Sequence, residues 1–190
     1  GHTHLYRMEG PVDMTVLGKT IDDAAGEACD KFAKAAGLPY PGGALLDALG
    51  KRGHADPHLF PRPYTHNDNL DFSFSGLKTA GALWLSQHAD AHFPPGDTPA
   101  RGRLDSASQT FCDAAASYLL AVAETLTIKA ERAMALFHPE SIVVAGGVAA
   151  NSVVRQEFAN LAERHGIPLI IPRLSLCGDN AVMIAKAGWH

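Results

Sequence analysis

The chain has 190 residues, 46% of them hydrophobic and 19% charged, enough apolar material for the core of one domain or of two small lobes. A formal net charge of −4 excludes an extended nucleic-acid-wrapping surface of its own, though not RNA held jointly with other parts. Cys29, Cys112 and Cys177 are widely spaced with no CxxC and read as reduced thiols of a cytoplasmic protein. No apolar run is expected to span a membrane, and the N-terminus has no signal-peptide character.

Taken in order, Thr3 to Met8 predicts a strand, Glu9-Gly10-Pro11 a turn and Val12 to Leu17 the second arm of a hairpin. The start, Gly1-His2-Thr3, runs almost at once into that strand, as if cut from within a longer protein. Thr20 with Asp23 three residues on is a capping-box pattern, so a helix is expected from Ile21 to Ala36, ended by Gly37. Ala25, Ala28, Cys29, Phe32 and Ala36 form its small packing face. Asp23, Glu27, Asp30 and Lys34 lie on the opposite stripe, which reads as a solvated face or a ligand-facing one. Tyr40-Pro41-Gly42-Gly43 is a turn, and Ala44 to Gly50 a short helix carrying Asp47.

Lys51 to Asn69 reads as an irregular loop. Leu70 to Ser75 alternates apolar and polar residues and predicts a short half-buried strand. A helix follows from Gly76 to Ala91, broken at Phe93-Pro94-Pro95-Gly96. Leu104 to Phe137 is the longest helical element, with one possible break. Its residues Phe111, Ala115, Tyr118, Val122 and Leu126 recur at steps of three and four, and His138-Pro139 stops it.

Ile142 to Val144 is a β-branched run of the kind that fills a strand buried on both faces. Gly146 and Gly147 turn it into a helix from Asn151 to Arg164, ended by Gly166. Pro168 to Pro172 is another apolar strand, Leu176 to Asn180 a loop, and Ala181 to Ala187 the last helix. This order predicts an α/β layered fold whose central strands are parallel and covered by helices.

In such sheets ligands bind beyond the carboxyl ends of the strands. Two such ends carry suitable residues: Gly146-Gly147 with Asn151, and Gly178-Asp179-Asn180. The first is a phosphate- or nucleotide-holding turn, or a tight strand-to-helix turn with no ligand. Asp179 is a helix N-cap or a carboxylate metal ligand. His54/His58 and His88/His92 both show HxxxH spacing, but Pro57 disrupts one and Pro94-Pro95 fray the other, so both pairs read as solvent-exposed. No Ser-His-Asp arrangement, P-loop or GxGxxG is legible.

Six stretches in this order are specific together: TIDDAAGEACDK (20–31), YPGG (40–43), FPRP (60–63), DFSFSGLKT (71–79), VAGGVAAN (144–151) and CGDNAVMIA (177–185). They resemble the tRNA threonylcarbamoyladenosine transferase family, whose older names are glycoprotease and O-sialoglycoprotein endopeptidase (peptidase M22-like). The resemblance spans nearly the whole chain apart from 51–59 and 87–103. It implies an actin/hexokinase/Hsp70-like, RNase-H-like fold, a mixed sheet with flanking helices. Residues 1–190 would be its C-terminal lobe with a helical insertion around 40–136, the N-terminal lobe being absent.

By the same resemblance, the complete enzyme transfers the threonylcarbamoyl group from threonylcarbamoyl-AMP to N6 of the adenosine beside the tRNA anticodon. His2, Asp30, Gly43, Asp47, Gly146, Gly147 and Asn151 match nucleotide- or substrate-binding positions, and Asp179 a ligand of a divalent metal, iron or zinc. The family's own histidine pair would lie in the absent half. Implied partners are tRNA, threonylcarbamoyl-AMP and the proteins of a tRNA-modification complex, including a paralogous scaffold, with no membrane. Ala44 and Gly178 depart from the family's usual proline and threonine without removing a ligand. A metal-dependent glycoprotease would need a water-activating glutamate beside a histidine pair, and none is legible here. A non-catalytic scaffold paralogue would tend to lose Asp30, Gly43, Asn151 and Asp179, which are all present. A sugar or acetate kinase of the same fold would not carry DFSFSGLKT.

Overall fold

The computed structural model describes residues 1–10, 13–93 and 104–188. Strands β1 (His4–Met8) and β2 (Met14–Lys19) form an antiparallel hairpin with an irregular register between Leu5 and Tyr6. Pro11 and Val12, placed by the sequence in the turn and the second arm, lie outside the described residues, as do Pro94 to Gly96. Helices α1 (Ala25–Ala35), α2 (Gly43–Gly50) and α3 (Ser75–Gln87) follow, then a 3-10 turn Leu104–Ser106 and the long helix α4 (Gln109–Phe137). The break foreseen in the longest helix falls before Gln109, where the Ser108 side chain caps α4 by accepting from Phe111 N–H at 3.1 Å. His138 closes α4 in the left-handed region (φ 48°).

Strand β3 (Ile142–Val143) pairs in parallel with β4 (Leu169–Ile170); α5 (Ser152–His165) crosses between them and α6 (Ala181–Gly188) ends the described chain. Gly166 at φ 64° closes α5, a position where glycine carries no Cβ penalty. The fold is mixed α/β, with two separate two-stranded sheets among the described residues.

The core is built around α4. Phe111, Tyr118, Leu119 and Val122 are all essentially inaccessible. The Tyr118 ring stacks on Phe32 of α1 with centroids 4.2 Å apart, and Phe60 meets Tyr118 edge-on at 5.3 Å. Gly81 of α3 allows this stack: a Cβ there would come within 2.7 Å of Phe32 and 2.9 Å of Tyr118. By length and mean hydropathy (1.3) α4 alone among the described helices is apolar enough to cross a membrane, contrary to the sequence expectation. However, 72% of that window is buried inside the fold, as in a core helix.

Three further expectations are corrected. The first helix begins at Ala25, not Ile21, because Thr20 donates its hydroxyl to Asp23 carbonyl oxygen (2.9 Å) and no side chain caps the helix start at Ala24. Leu70–Ser75 makes only a single parallel bridge, Thr20 with Phe72. Its alternation has another cause: Leu70, Phe72 and Phe74 enter the core, while Ser73 is buried too, its hydroxyl held by Asp22. Finally, β3 is not buried on both faces. Ile142 and Leu169 pack toward the core, whereas Val143 and Ile170 are 61% and 53% exposed.

Candidate functional site

Seven of the predicted site residues fall in two neighbouring groups: Asp30, Gly43, Asp47 and Asn151 around α2 and the start of α5, and His2, Gly146 and Gly147 between the hairpin and β3. Asp30, on α1, points its Oδ1 at the N-terminus of α2 and accepts the N–H groups of Gly42 (2.9 Å) and Gly43 (2.8 Å). Two bare glycine amides at a helix start suit such a carboxylate, since the first N–H groups of a helix have no internal partner. Gly43 is tight without being strained, a Cβ there lying 3.4 Å from Asp30 Oδ1.

Asp47, four residues into α2, reaches the start of α5. Its Oδ1 accepts both the N–H (2.9 Å) and the hydroxyl (2.7 Å) of Ser152, and its Oδ2 pairs with Lys51 at 2.8 Å. Asn151 is the N-cap of α5, its Oδ1 accepting from Val153 (3.0 Å) and Val154 (3.1 Å). Each of these three side chains thus already has a structural contact. Asp30 Oδ2 and the Asn151 amide nitrogen take no part in these contacts.

His2, Gly146 and Gly147 line a cavity of about 210 Å³ between β1 and β3. Its floor is apolar, formed by Leu126, Ala130, Val154 and Phe158 from α4 and α5. Gly146 lies at φ 91°, ψ 175°, a conformation essentially reserved for glycine, and a Cβ at either Gly146 or Gly147 would meet nothing within 4 Å. The glycine turn therefore leaves open space above the backbone. Thr3, next to His2, accepts the N–H of Ala25 on its hydroxyl at 3.0 Å and so ties the cavity's edge to the start of α1. Val148 touches Gly26 of the same helix, where an added Cβ would lie 3.2 Å from Cγ2. Asp30, Gly43, Asp47 and Asn151 do not line this cavity; they converge around α2 instead.

Asp179 stands apart. It is exposed and makes no hydrogen bond or ion pair among the described residues. The N-cap of α6 is Asn180, not Asp179, its Oδ1 accepting from Met183 N–H at 3.0 Å. Among the described residues no three His, Cys, Asp or Glu side chains come together as a metal site. One carboxylate supplies one of the four or more donors a metal needs, so the residues present do not hold a metal by themselves. The loop before Asp179 is anchored to α5 by Arg155, which donates to Pro172 carbonyl oxygen at 2.9 Å.

Neither HxxxH pair belongs to a group of three His, Cys, Asp or Glu side chains among the described residues. His54 and His58 are exposed as expected. His88 is half-buried instead, stacked on Trp84 at 4.1 Å with Nδ1 2.8 Å from its carbonyl, while His92 Nε2 lies 2.9 Å from Leu85 carbonyl oxygen. Both close the end of α3. A larger open groove of about 570 Å³ beside Arg62, Glu124, Glu131 and Arg164 contains none of the predicted residues. Its charges pair with one another, Arg62 with Glu124 and Arg164 with Glu131.

Sequence reasoning missed Asp22, Ser152 and Thr3, each of which joins segments far apart in the chain. Asp22 accepts from Ser73 hydroxyl (2.5 Å), Phe74 N–H (2.8 Å) and Ser75 N–H (3.3 Å), capping α3. Burial works against its charge, but these bonds outweigh it and hold its carboxyl below the ordinary value. Asp23 is held low by the Lys31 and Lys78 ammonium groups, at 2.5 and 2.7 Å. The TIDD and DFSFSGLKT stretches therefore belong together because they bond to each other. Cys29 lies on the buried face of α1, and burial pushes its thiol up to about 12.

The site thus lies in a mixed α/β unit in which a glycine strand-to-helix turn accompanies a helix pinned by two carboxylates. The profile of the TsaD family, tRNA N6-adenosine threonylcarbamoyltransferase, matches residues 1–186, and the chain belongs to this family. It is 54% identical over 192 aligned positions to the tRNA N6-adenosine threonylcarbamoyltransferase of Nitratidesulfovibrio vulgaris strain DP4, covering 100% of this chain and 53% of that protein. The enzymes of that name from Lawsonia intracellularis and Geobacter sulfurreducens are 50% and 47% identical, each over 99% of this chain and 54% and 51% of their own lengths. The chain thus spans about half the length of the curated relatives it matches.

Proposed function

We propose that this chain is the nucleotide-holding part of a tRNA-modifying transferase. The complete enzyme takes threonylcarbamoyl-AMP and a tRNA. The N6 amine of the target adenosine attacks the carbamoyl carbon, a C–N bond forms, the bond from that carbon to the phosphate oxygen breaks, and AMP leaves while N6 loses a proton. Asp30 and Asn151 offer Oδ2 and the amide nitrogen to the nucleotide, and Asp47 lies beside them. Gly43 lets the nucleotide approach α2, and the glycine turn with His2 takes the phosphate end. Asp179 would supply one oxygen to an iron or zinc ion, which would polarise the carbamoyl group as a Lewis acid and would need further donors beyond the described residues. The lobe is an actin-like, RNase-H-like one, a reading supported by the hairpin and the parallel pair flanking a common cavity. The enzyme works in the cytoplasm with partner proteins of a modification complex.

The single observation that carries this reading is the family match over residues 1–186. The test uses the complete enzyme with tRNA and threonylcarbamoyl-AMP. Asp179→Ala should abolish modification and lower metal content together. Unchanged modification and metal content would remove the metal role from Asp179. Absence of modification by the wild type would remove the reaction.

A further inference from the structure

Ser152 occupies the first position of α5, where the backbone N–H has no partner inside the helix. Asn151 satisfies the next two amides, and the Ser152 N–H goes to Asp47, 105 residues earlier in the chain. Any residue at 152 would supply that N–H. The hydroxyl is the selective part: it brings a second donor to the same oxygen at 2.7 Å, and a shared acceptor fixes both distance and direction. Asp47 is only 13% exposed and sits at the positive end of α5, so its charge is favoured there.

The consequence reaches both sides of the site. Helix α2 is pinned to α1 by Asp30 at its first residues and to α5 by Asp47 at its middle. The Asp47–Ser152 contact is the hydrogen bond between α2 and α5 that closes this chain of segments. We propose that Ser152 is a positioning residue for the nucleotide: through Asp47 it sets the separation between the wall carrying Asp30 and Gly43 and the wall carrying Gly146 to Asn151, an assignment that rests on the nucleotide-binding reading above. Asp47 then acts chiefly by holding this geometry, since Ser152 and Lys51 occupy both of its oxygens.

The test titrates the complete enzyme with a non-hydrolysable ATP analogue by calorimetry, alongside thermal unfolding. Ser152→Ala keeps the backbone contact and removes the hydroxyl; its affinity should fall about five- to tenfold. Ser152→Thr, which restores a hydroxyl, should return within about twofold of wild type. In an Asp47→Ala background, Ser152→Ala should cause no further loss. Wild-type affinity in Ser152→Ala, with or without a lower melting temperature, would make Ser152 merely structural and overturn the proposal. An equal loss in the Asp47→Ala background would overturn its route through Asp47. A wild type that does not bind the analogue would instead overturn the nucleotide reading itself, and this assignment with it.

Discussion

Asp22 Oδ1 accepts the backbone N–H of Phe74 at 2.8 Å, across 52 residues of chain. Together with Asp23, bound to Lys31 and Lys78, it fastens the segment before α1 to the start of α3. Both carboxyls are held below their ordinary value of 3.8. A depressed folded-state value means that the stabilisation is complete above the ordinary value of 3.8 and is lost as pH falls from there through the folded-state value. Asp22→Ala should cost about 1 kcal/mol near neutrality, the usual worth of a helix cap, and should shrink the loss in acid. Urea midpoints taken from neutral pH down to about pH 2.5 check this. A variant that weakens in acid as steeply as wild type would contradict it.

The two glycines of the 144–151 turn make different predictions. Gly147 has free space around it and no left-handed backbone, so Gly147→Ala should leave the melting temperature nearly unchanged. If the glycines clear room for a nucleotide, the same variant should lose affinity for an ATP analogue by roughly tenfold or more. Gly146→Ala, at φ 91°, should by contrast cost about 1–3 kcal/mol of stability before any ligand is added. Equal nucleotide affinity in Gly147→Ala and wild type would assign the turn to backbone geometry alone.

Lys129 is wholly buried in α4 and donates to Asn67 Oδ1 (2.6 Å) and Asn69 carbonyl oxygen (2.8 Å), with its ammonium 5.2 Å above the Tyr64 ring. Burial, reinforced by Arg132, pushes its pKa down. The side chain thus clasps the 64–69 loop to the core without a carboxylate in its hydrogen bonds. Lys129→Met fills the same space but leaves acceptors unserved, at a cost of about 1–3 kcal/mol. Limited proteolysis should then cut within 64–69 before any other site. An unchanged cleavage pattern would show that Arg132, which also donates to Asn69 carbonyl oxygen at 3.0 Å, holds the loop unaided.

What was legible in the sequence was local. The steps of three and four in α4 mark residues that are indeed buried, and Gly166 ends α5 because only the nearby backbone decides that. Asn151 was visible as a residue at a helix start, but its capping role became clear only with Val153 and Val154 in place. What was hidden depended on distant partners. Nothing around Asp22 announces Phe74, and nothing around Asp47 announces Ser152. The β-branched run at Ile142 to Val144 shows strand propensity but not what covers each face, so the exposure of Val143 could not be read from it. The six motifs pointed to the family by resemblance; that two of them, TIDD and DFSFSGLKT, bond to each other was visible only in the structure.

The outward faces of Val143 and Ile170 have a practical consequence. Tyr6, Met8, Met14 and Val16 on the hairpin and Val182, Met183 and Ile184 on α6 are exposed as well. Short strands with open edges and apolar outer faces recruit other strands. Prepared alone, these 190 residues should therefore self-associate as concentration rises, with solubility set by these exposed apolar side chains and not by the well-packed helical core.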